Sequence, residues 1–223
     1  MTDPYIYSNG VLRNKFDIDD YEKLNQAEAD IGFAKLMDID SIEITYFDED
    51  LIKRVHKHIF EDIFDWAGEY RTVPLIKYEA VLPRYTVPYS EPKSISKDLK
   101  KRLNDLNKIA WQDKSVEEIS YLFSRKLALL WKVHPFRDGN TRTILSFAFI
   151  YAKEHGFQFD IQEFINELNR TYRENGKIAK INIRDMFVLA SLPDEYYPEI
   201  KPLARVFEKA ISKCQTKEEP KKK

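Results

Sequence analysis

The sequence predicts an all-α domain, a bundle of about eight helices with a β-hairpin near residues 70–92. Three observations predict it. Apolar residues recur every three or four positions along most of the 223 residues. Glycine is scarce, at 6 residues, while Leu, Ile, Lys and Glu abound, a balance that favours helix. Only one stretch, residues 69–92, combines strand formers with turn and breaker residues.

In chain order, residues 1–19 read as irregular, with Ser8-Asn9-Gly10 a turn. Tyr21, Leu24, Ala27, Ile31 and Ala34 set a first helix that ends near Met37. A second begins after Thr45 or Asp48, uses Leu51, Ile52, Val55, Ile59, Phe60 and Ile63, and stops at Trp66-Ala67-Gly68. The hairpin segment follows. Tyr70, Thr72, Val73, Leu75 and Ile76, then Val81, Leu82, Tyr85, Thr86 and Val87, favour strand, while Pro74, Pro83, Pro88 and Pro92 remove ladder donors and confine any strand to an edge. Further helices are expected over 93–109 and 115–132, then from Asn140 to Gly156, and near 160–174, 180–191 and 199–213. The helix after Asn140 is apolar on several faces (Ile144, Leu145, Phe147, Ala148, Phe149, Ile150, Tyr151), which places it at the centre of the fold.

The balance of 36 basic and 37 acidic residues gives a formal net charge of -1, so no global field draws the chain to nucleic acid or an anionic membrane. The single cysteine, Cys214, forms no internal disulfide, and no zinc ligand set is legible. No secretory signal opens the chain and no apolar run is long enough to span a bilayer, so the expected location is cytoplasmic, export as an effector left open. The Lys-rich stretch 213–223 reads as a solvated, frayed terminus.

The informative segment runs from His134 to Arg142, between two apolar helices. His134 is neutral near pH 7 and can take a proton. Pro135 stiffens the loop, and Phe136 is an apolar anchor in a polar turn. Asp138 is a hard oxygen ligand suited to Mg²⁺ held by phosphates. Gly139 permits positive φ and close backbone approach. Asn140 and Thr141 start a helix whose free N–H groups favour phosphate, and Arg142 adds a fork of donors. A base, a metal ligand and an anion cradle within nine residues suit phosphoryl or nucleotidyl transfer. From chemistry alone, an ordinary structural turn accounts for the segment equally well. The other histidines carry less: His56 and His58 lie two apart on one helix, share no face, and read as ordinary helix residues, and His155 sits at a helix C-terminus.

The segment resembles the active-site motif of the Fic family, His-Pro-Phe-x-Asp/Glu-Gly-Asn-Gly-Arg-x-x-Arg, matching at His134, Pro135, Phe136, Asp138, Gly139, Asn140 and Arg142. Upstream, residues 59–73 (Ile59 to Val73, through Trp66-Ala67-Gly68) resemble the family's lead into its flap, and the resemblance covers about residues 5–211. It implies a Fic domain over 1–212, with its core at 47–192 and a flap at 70–92. It implies a protein adenylyltransferase: His134 deprotonates a Tyr, Thr or Ser hydroxyl of a target protein, which attacks the α-phosphate of ATP. Asp138 then holds Mg²⁺, while Phe136, Gly139, Asn140, Thr141 and Arg142 form the nucleotide site, Arg142 on the β-phosphate and Phe136 packing the loop. The flap residues Lys77, Tyr78, Glu79, Ala80, Val81 and Leu82 dock the target by strand addition.

Two departures stand out. Thr141 replaces the motif's second glycine and Leu145 its last arginine, the partner of the γ-phosphate. The family's inhibitory Ser/Thr-x-x-x-Glu-Gly/Asn motif is also unmatched, since Glu174-Asn175 has Arg170 where Ser or Thr is required. The chain is therefore expected to be free-running, or restrained by a separate antitoxin-like protein. Two other readings stay open: a Fic-fold transferase with a different nucleotide-linked donor, and a degenerate domain that only binds a nucleotide or a partner.

Overall fold

The computed structural model describes residues 3–82, 86–169, 172–174, 177–179 and 182–213; for 172–174, 177–179 and 213 it describes the backbone only. Tyr85, Arg170, Asn175, Cys214 and the rest of the Lys-rich tail lie outside the described residues.

Eight α-helices form among the described residues: α1 (Tyr21–Met37), α2 (Glu49–Phe60), α3 (Ile95–Asn107), α4 (Val116–Trp131), α5 (Asn140–Glu154), α6 (Ile161–Asn169), α7 (Ile183–Ala190) and α8 (Lys201–Ala210). Local chemistry sets their starts. Asp20, Asp48, Ser115 and Asn182 cap α1, α2, α4 and α7 by accepting from first-turn N–H groups, and Ser115 with Glu118 closes a reciprocal capping box. Two small antiparallel pairs complete the fold. The first joins β1 (Phe157–Phe159) to β4 (Ile211–Lys213), with Gln158 opposite Ser212; the second joins β2 (Tyr172–Glu174) to β3 (Lys177–Ala179).

The core is centred on α4, which packs against α3, α5, α7 and α8, while α2 packs on α5 and α1 on α2. Leu127, Trp131, Phe123, Phe147, Tyr151, Phe187 and Phe207 are all excluded from solvent. Each such side chain contributes about 1.5–3 kcal/mol of burial free energy. That rigid centre holds both ends of the loop that joins α4 to α5.

Several expectations need correction. α2 ends at Phe60, and residues 61–68 form irregular turns that finish at Gly68 (φ +84°). The expected helices over 160–174 and 199–213 are shorter, because Tyr172–Glu174 and Ile211–Lys213 are strands. No strand of the hairpin expected at 70–92 forms among the described residues; the chain bends at Thr72 and Val73 and turns at 79–82, where the Leu82 N–H donates to the Glu79 carbonyl (2.9 Å). Exposure alternates strictly, with Ile76, Tyr78 and Ala80 outward and Lys77 and Glu79 inward. Proline at 74, 88 and 92 removes donors that a ladder would use, so the segment alternates its side chains without a strand partner among the described residues.

Candidate active site

His134 closes α4 through its N–H to the carbonyl of Trp131 (3.0 Å) and then takes a left-handed conformation, φ 52°, unusual for a residue with a side chain. Such backbone holds only where its surroundings over-determine it. Here Arg71 does so. Its side chain is fully buried, its Nε donates to the His134 carbonyl (2.8 Å), its Nη1 to Val73 (2.8 Å) and its Nη2 to Ser90, while its own N–H meets Pro135 (2.9 Å). One guanidinium thus ties the loop to both ends of the extended segment.

The imidazole of His134 is buried, stacked on Tyr89 (4.1 Å between centroids) and edge-on to Trp131 (5.1 Å). Neither ring nitrogen makes a hydrogen bond among the described residues. Burial pushes its pKa well below the usual 6.5, and the nearby charges of Lys77, Arg184 and Arg71 push the same way. The ring is therefore neutral at pH 7 and has a vacant proton acceptor.

The loop beyond it is locked from below. Phe136 is fully buried and stacks on His56 (3.8 Å, 19°). Asn140 accepts from the Phe136 N–H (3.0 Å) and donates to the Phe136 carbonyl (2.9 Å). His56 Nδ1 accepts the Gly68 N–H (2.8 Å), which leaves Nε2–H to donate to the Asp138 carbonyl (3.1 Å). Two expectations change in consequence. Phe136 is an anchor with no face on the cleft, and the Asn140 side chain is consumed by the loop, leaving only its backbone N–H for an anion. His56, expected to be an ordinary helix residue, is the post on which the loop rests.

Gly139 (φ 74°) leads into α5, and no side chain caps that helix, so the N–H groups of Asn140, Thr141 and Arg142 open onto the space above. That space is a cleft of about 80 Å³ lined by Lys77, His134, Asp138, Gly139, Asn140, Thr141, Arg142 and Arg184. The structure thus brings together all the residues expected from the loop except Phe136. Thr141 accepts from the Trp131 indole N–H (3.0 Å), which fixes its hydroxyl. Arg142 lies over Phe60 (4.5 Å) and donates to the buried carboxylate of Glu28 on α1. Leu145 is packed against the core and does not reach the cleft.

The residues expected to dock a target divide. Tyr78 and Ala80 face solvent and Val81 is partly exposed. Glu79 and Leu82 are buried, and Glu79 is committed internally to Arg184 Nε (3.2 Å), Arg184 Nη2 and the Tyr89 hydroxyl (2.8 Å). Lys77 turns into the cleft. Glu79 and Lys77 therefore cannot serve as outward docking side chains while the segment keeps this course. Glu28, Arg71 and Arg184 were not foreseen as cleft-side partners. For His56 a signal existed: it falls four after Ile52 and three before Ile59, on the apolar face of α2.

The sequence model of the Fic/DOC family matches residues 46–152. Protein adenylyltransferase VbhT of Bartonella schoenbuchensis is 30% identical over 162 residues, which make up 71% of this chain and 32% of that protein. The chain thus spans about a third of that relative's length. The probable protein adenylyltransferase Fic of Escherichia coli is 24% identical over 82% of this chain and 89% of its own length. Among solved structures, BepC of Bartonella tribocorum with bound AMPPNP superposes with a TM-score of 0.73 at 21% identity, covering 95% of this chain and 97% of that one. A Fic domain from Bartonella quintana with bound ADP gives a TM-score of 0.73 at 23% identity, covering 95% of each chain. These likenesses establish a shared fold. No helix among the described residues is long and apolar enough to cross a membrane.

Proposed function

Since this chain belongs to the Fic/DOC family, we propose that it is a protein adenylyltransferase that moves AMP from ATP onto a Tyr, Thr or Ser hydroxyl of a target protein. The observation that carries this reading is the buried, neutral His134, with both ring nitrogens unpartnered, beside the uncapped start of α5. A base and a phosphate cradle sharing one cleft are what such a transfer needs. The relatives' names as adenylyltransferases and the adenine nucleotides held by two structural neighbours support the choice of donor.

In the proposed reaction the target hydroxyl enters beside His134, and a ring nitrogen takes its proton as the oxygen attacks the α-phosphorus. A new O–P bond forms, the bond from the α-phosphorus to the bridging oxygen breaks, and pyrophosphate leaves. The N–H groups of Asn140 to Arg142 and the Arg142 guanidinium face the charge that develops. Asp138 fits a Mg²⁺ site: its carboxylate borders the cleft, and the described residues hold no cluster of three His, Cys, Asp or Glu that would favour a protein-caged metal. Mg²⁺ there would neutralise phosphate charge. The proposed location is a cytoplasm, where ATP is abundant, the cell's own or, after export, another's.

The target would add a strand along residues 74–79, whose backbone carries no ladder partner among the described residues. An apolar groove of about 420 Å³ between Leu82, Pro88, Leu189 and Tyr196 lies alongside to take its side chains. A separate protein is the proposed restraint on activity. Leu145, in place of an arginine, favours one second reading, a different phosphate-linked donor. The direct test is His134→Ala. It should bind ATP and remain folded yet lose transfer of label from α-labelled ATP to lysate proteins; a folded variant that still transfers overturns the assignment.

A further inference from the structure

One cation in the cleft has no place in that scheme. Lys77 stands on the inward side of the extended segment and borders the cleft with His134, Asp138 and Arg184. Its ammonium makes no hydrogen bond and no ion pair among the described residues. Partial burial pushes its pKa down, with Asp138 opposing and Arg184 and Arg137 reinforcing. A partly desolvated charge without a counter-ion is costly unless an anion arrives to meet it.

Arg184, on α7, comes from another direction. Glu79 receives its Nε and Nη2, and Nη2 also reaches the Tyr89 hydroxyl (3.2 Å). That buried carboxylate fixes the plane of the guanidinium, and Nη1 is left without a partner among the described residues. The motif helix, for its part, is short of charge. Leu145 does not reach the cleft, and Arg142 is engaged by Glu28. The Arg184–Glu79 and Arg142–Glu28 pairs are each internally neutral, which leaves Lys77 and Asp138 as the charges of the cleft outside a pair, and a metal ion on Asp138 would leave the ammonium to meet phosphate.

We propose that Lys77, with Arg184 beside it, binds the terminal phosphates of the nucleotide, the part that leaves as pyrophosphate, in place of the arginine absent at position 145. This rests on the adenylyl-transfer reading and assigns the far end of the same cleft. It removes Lys77 from target docking and makes the extended segment part of the nucleotide site. One element would then carry the tail of the donor on its inner face and the acceptor protein on its outer edge.

Calorimetric titration of the full chain with Mg²⁺ and inorganic pyrophosphate, ATP or AMP tests this. Lys77→Gln is the decisive variant, since the side chain is partly exposed and unbonded, and thermal unfolding confirms that it folds. Wild type should bind pyrophosphate, and Lys77→Gln should weaken pyrophosphate and ATP by about tenfold or more while changing AMP by less than about twofold, with Lys77→Arg recovering most of the loss. Wild-type affinity for pyrophosphate in Lys77→Gln, or an equal loss for AMP, overturns the inference. The two readings separate. Pyrophosphate binding that needs Lys77 in a protein that neither binds nor uses ATP sinks the adenylyl reading alone. Transfer from ATP that is indifferent to Lys77 sinks this inference alone, and a wild type that binds none of the three sinks both.

Discussion

His56 shows how a single side chain can hold a cleft that it does not line. It is fully buried, with both ring nitrogens committed, one to the Gly68 N–H and one to the Asp138 carbonyl, and its face lies on Phe136. Burial lowers its pKa from 6.5 to about 3, because a second proton would have to displace the Gly68 N–H in a dry site. Its folded-state pKa lies below the unfolded one, so below pH 6.5 the unfolded chain binds more protons. The stability linked to this ring is therefore intact above pH 6.5 and is lost as pH falls from there toward about 3. The slope approaches about 1.4 kcal/mol per pH unit. Glutamine at this position keeps hydrogen-bonding capacity and does not titrate. The difference in urea-unfolding free energy between wild type and His56→Gln should therefore shrink between pH 7 and pH 5, by about 2 kcal/mol at most. A difference that stays constant with pH would mean that the ring titrates alike in the folded and unfolded chain, so that burial does not shift it.

At the scale of elements, the start of α5 depends on how closely it approaches α2. A Cβ added at Gly139 would lie 2.3 Å from Cε2 of Phe60, and the residue's φ of +74° is itself disfavoured for an L side chain. Neither can relax without moving the N–H groups that form the cradle or the ring that supports Arg142. Gly139→Ala should lower stability by about 2–4 kcal/mol, part steric and part conformational. Adding Phe60→Leu should recover the steric part but not the conformational part, which thermal unfolding of the single and double variants resolves. α5 shares the absence of a capping side chain with α3 and α8, and of these three only its start opens onto the cleft. The segment before Pro92 follows a different logic. Alternation of exposure reports extension only, and pairing needs donors that its prolines lack. Residues 70–92 therefore read as a hairpin in sequence and carry no strand among the described residues.

For the molecule as a whole, the sequence makes legible whatever depends on spacing along the chain. The helical stripes of Tyr21–Met37, Val116–Trp131 and Asn140–Glu154 follow from apolar periodicity, and the loop from His134 to Arg142 stands out because its chemistry is contiguous. Illegible are the partners contributed across the fold. Glu28 meets Arg142 over 114 positions, Arg184 meets Glu79 over 105, and Arg71 meets His134 over 63. Each is a lone polar residue with no local periodicity to mark it, and only the packing of α1, α7 and the segment after α2 around the loop gives it a role. All of them converge on one cleft in which a neutral imidazole faces an uncapped helix start. The central claim concerns which phosphorus is attacked there. It is tested most directly by supplying the protein and a cell lysate with Mg²⁺ and ATP labelled at either the α- or the γ-phosphate. Label should enter protein from the α-position only, and only when His134 is present. Label entering from the γ-position, or from neither with a folded protein, would contradict it.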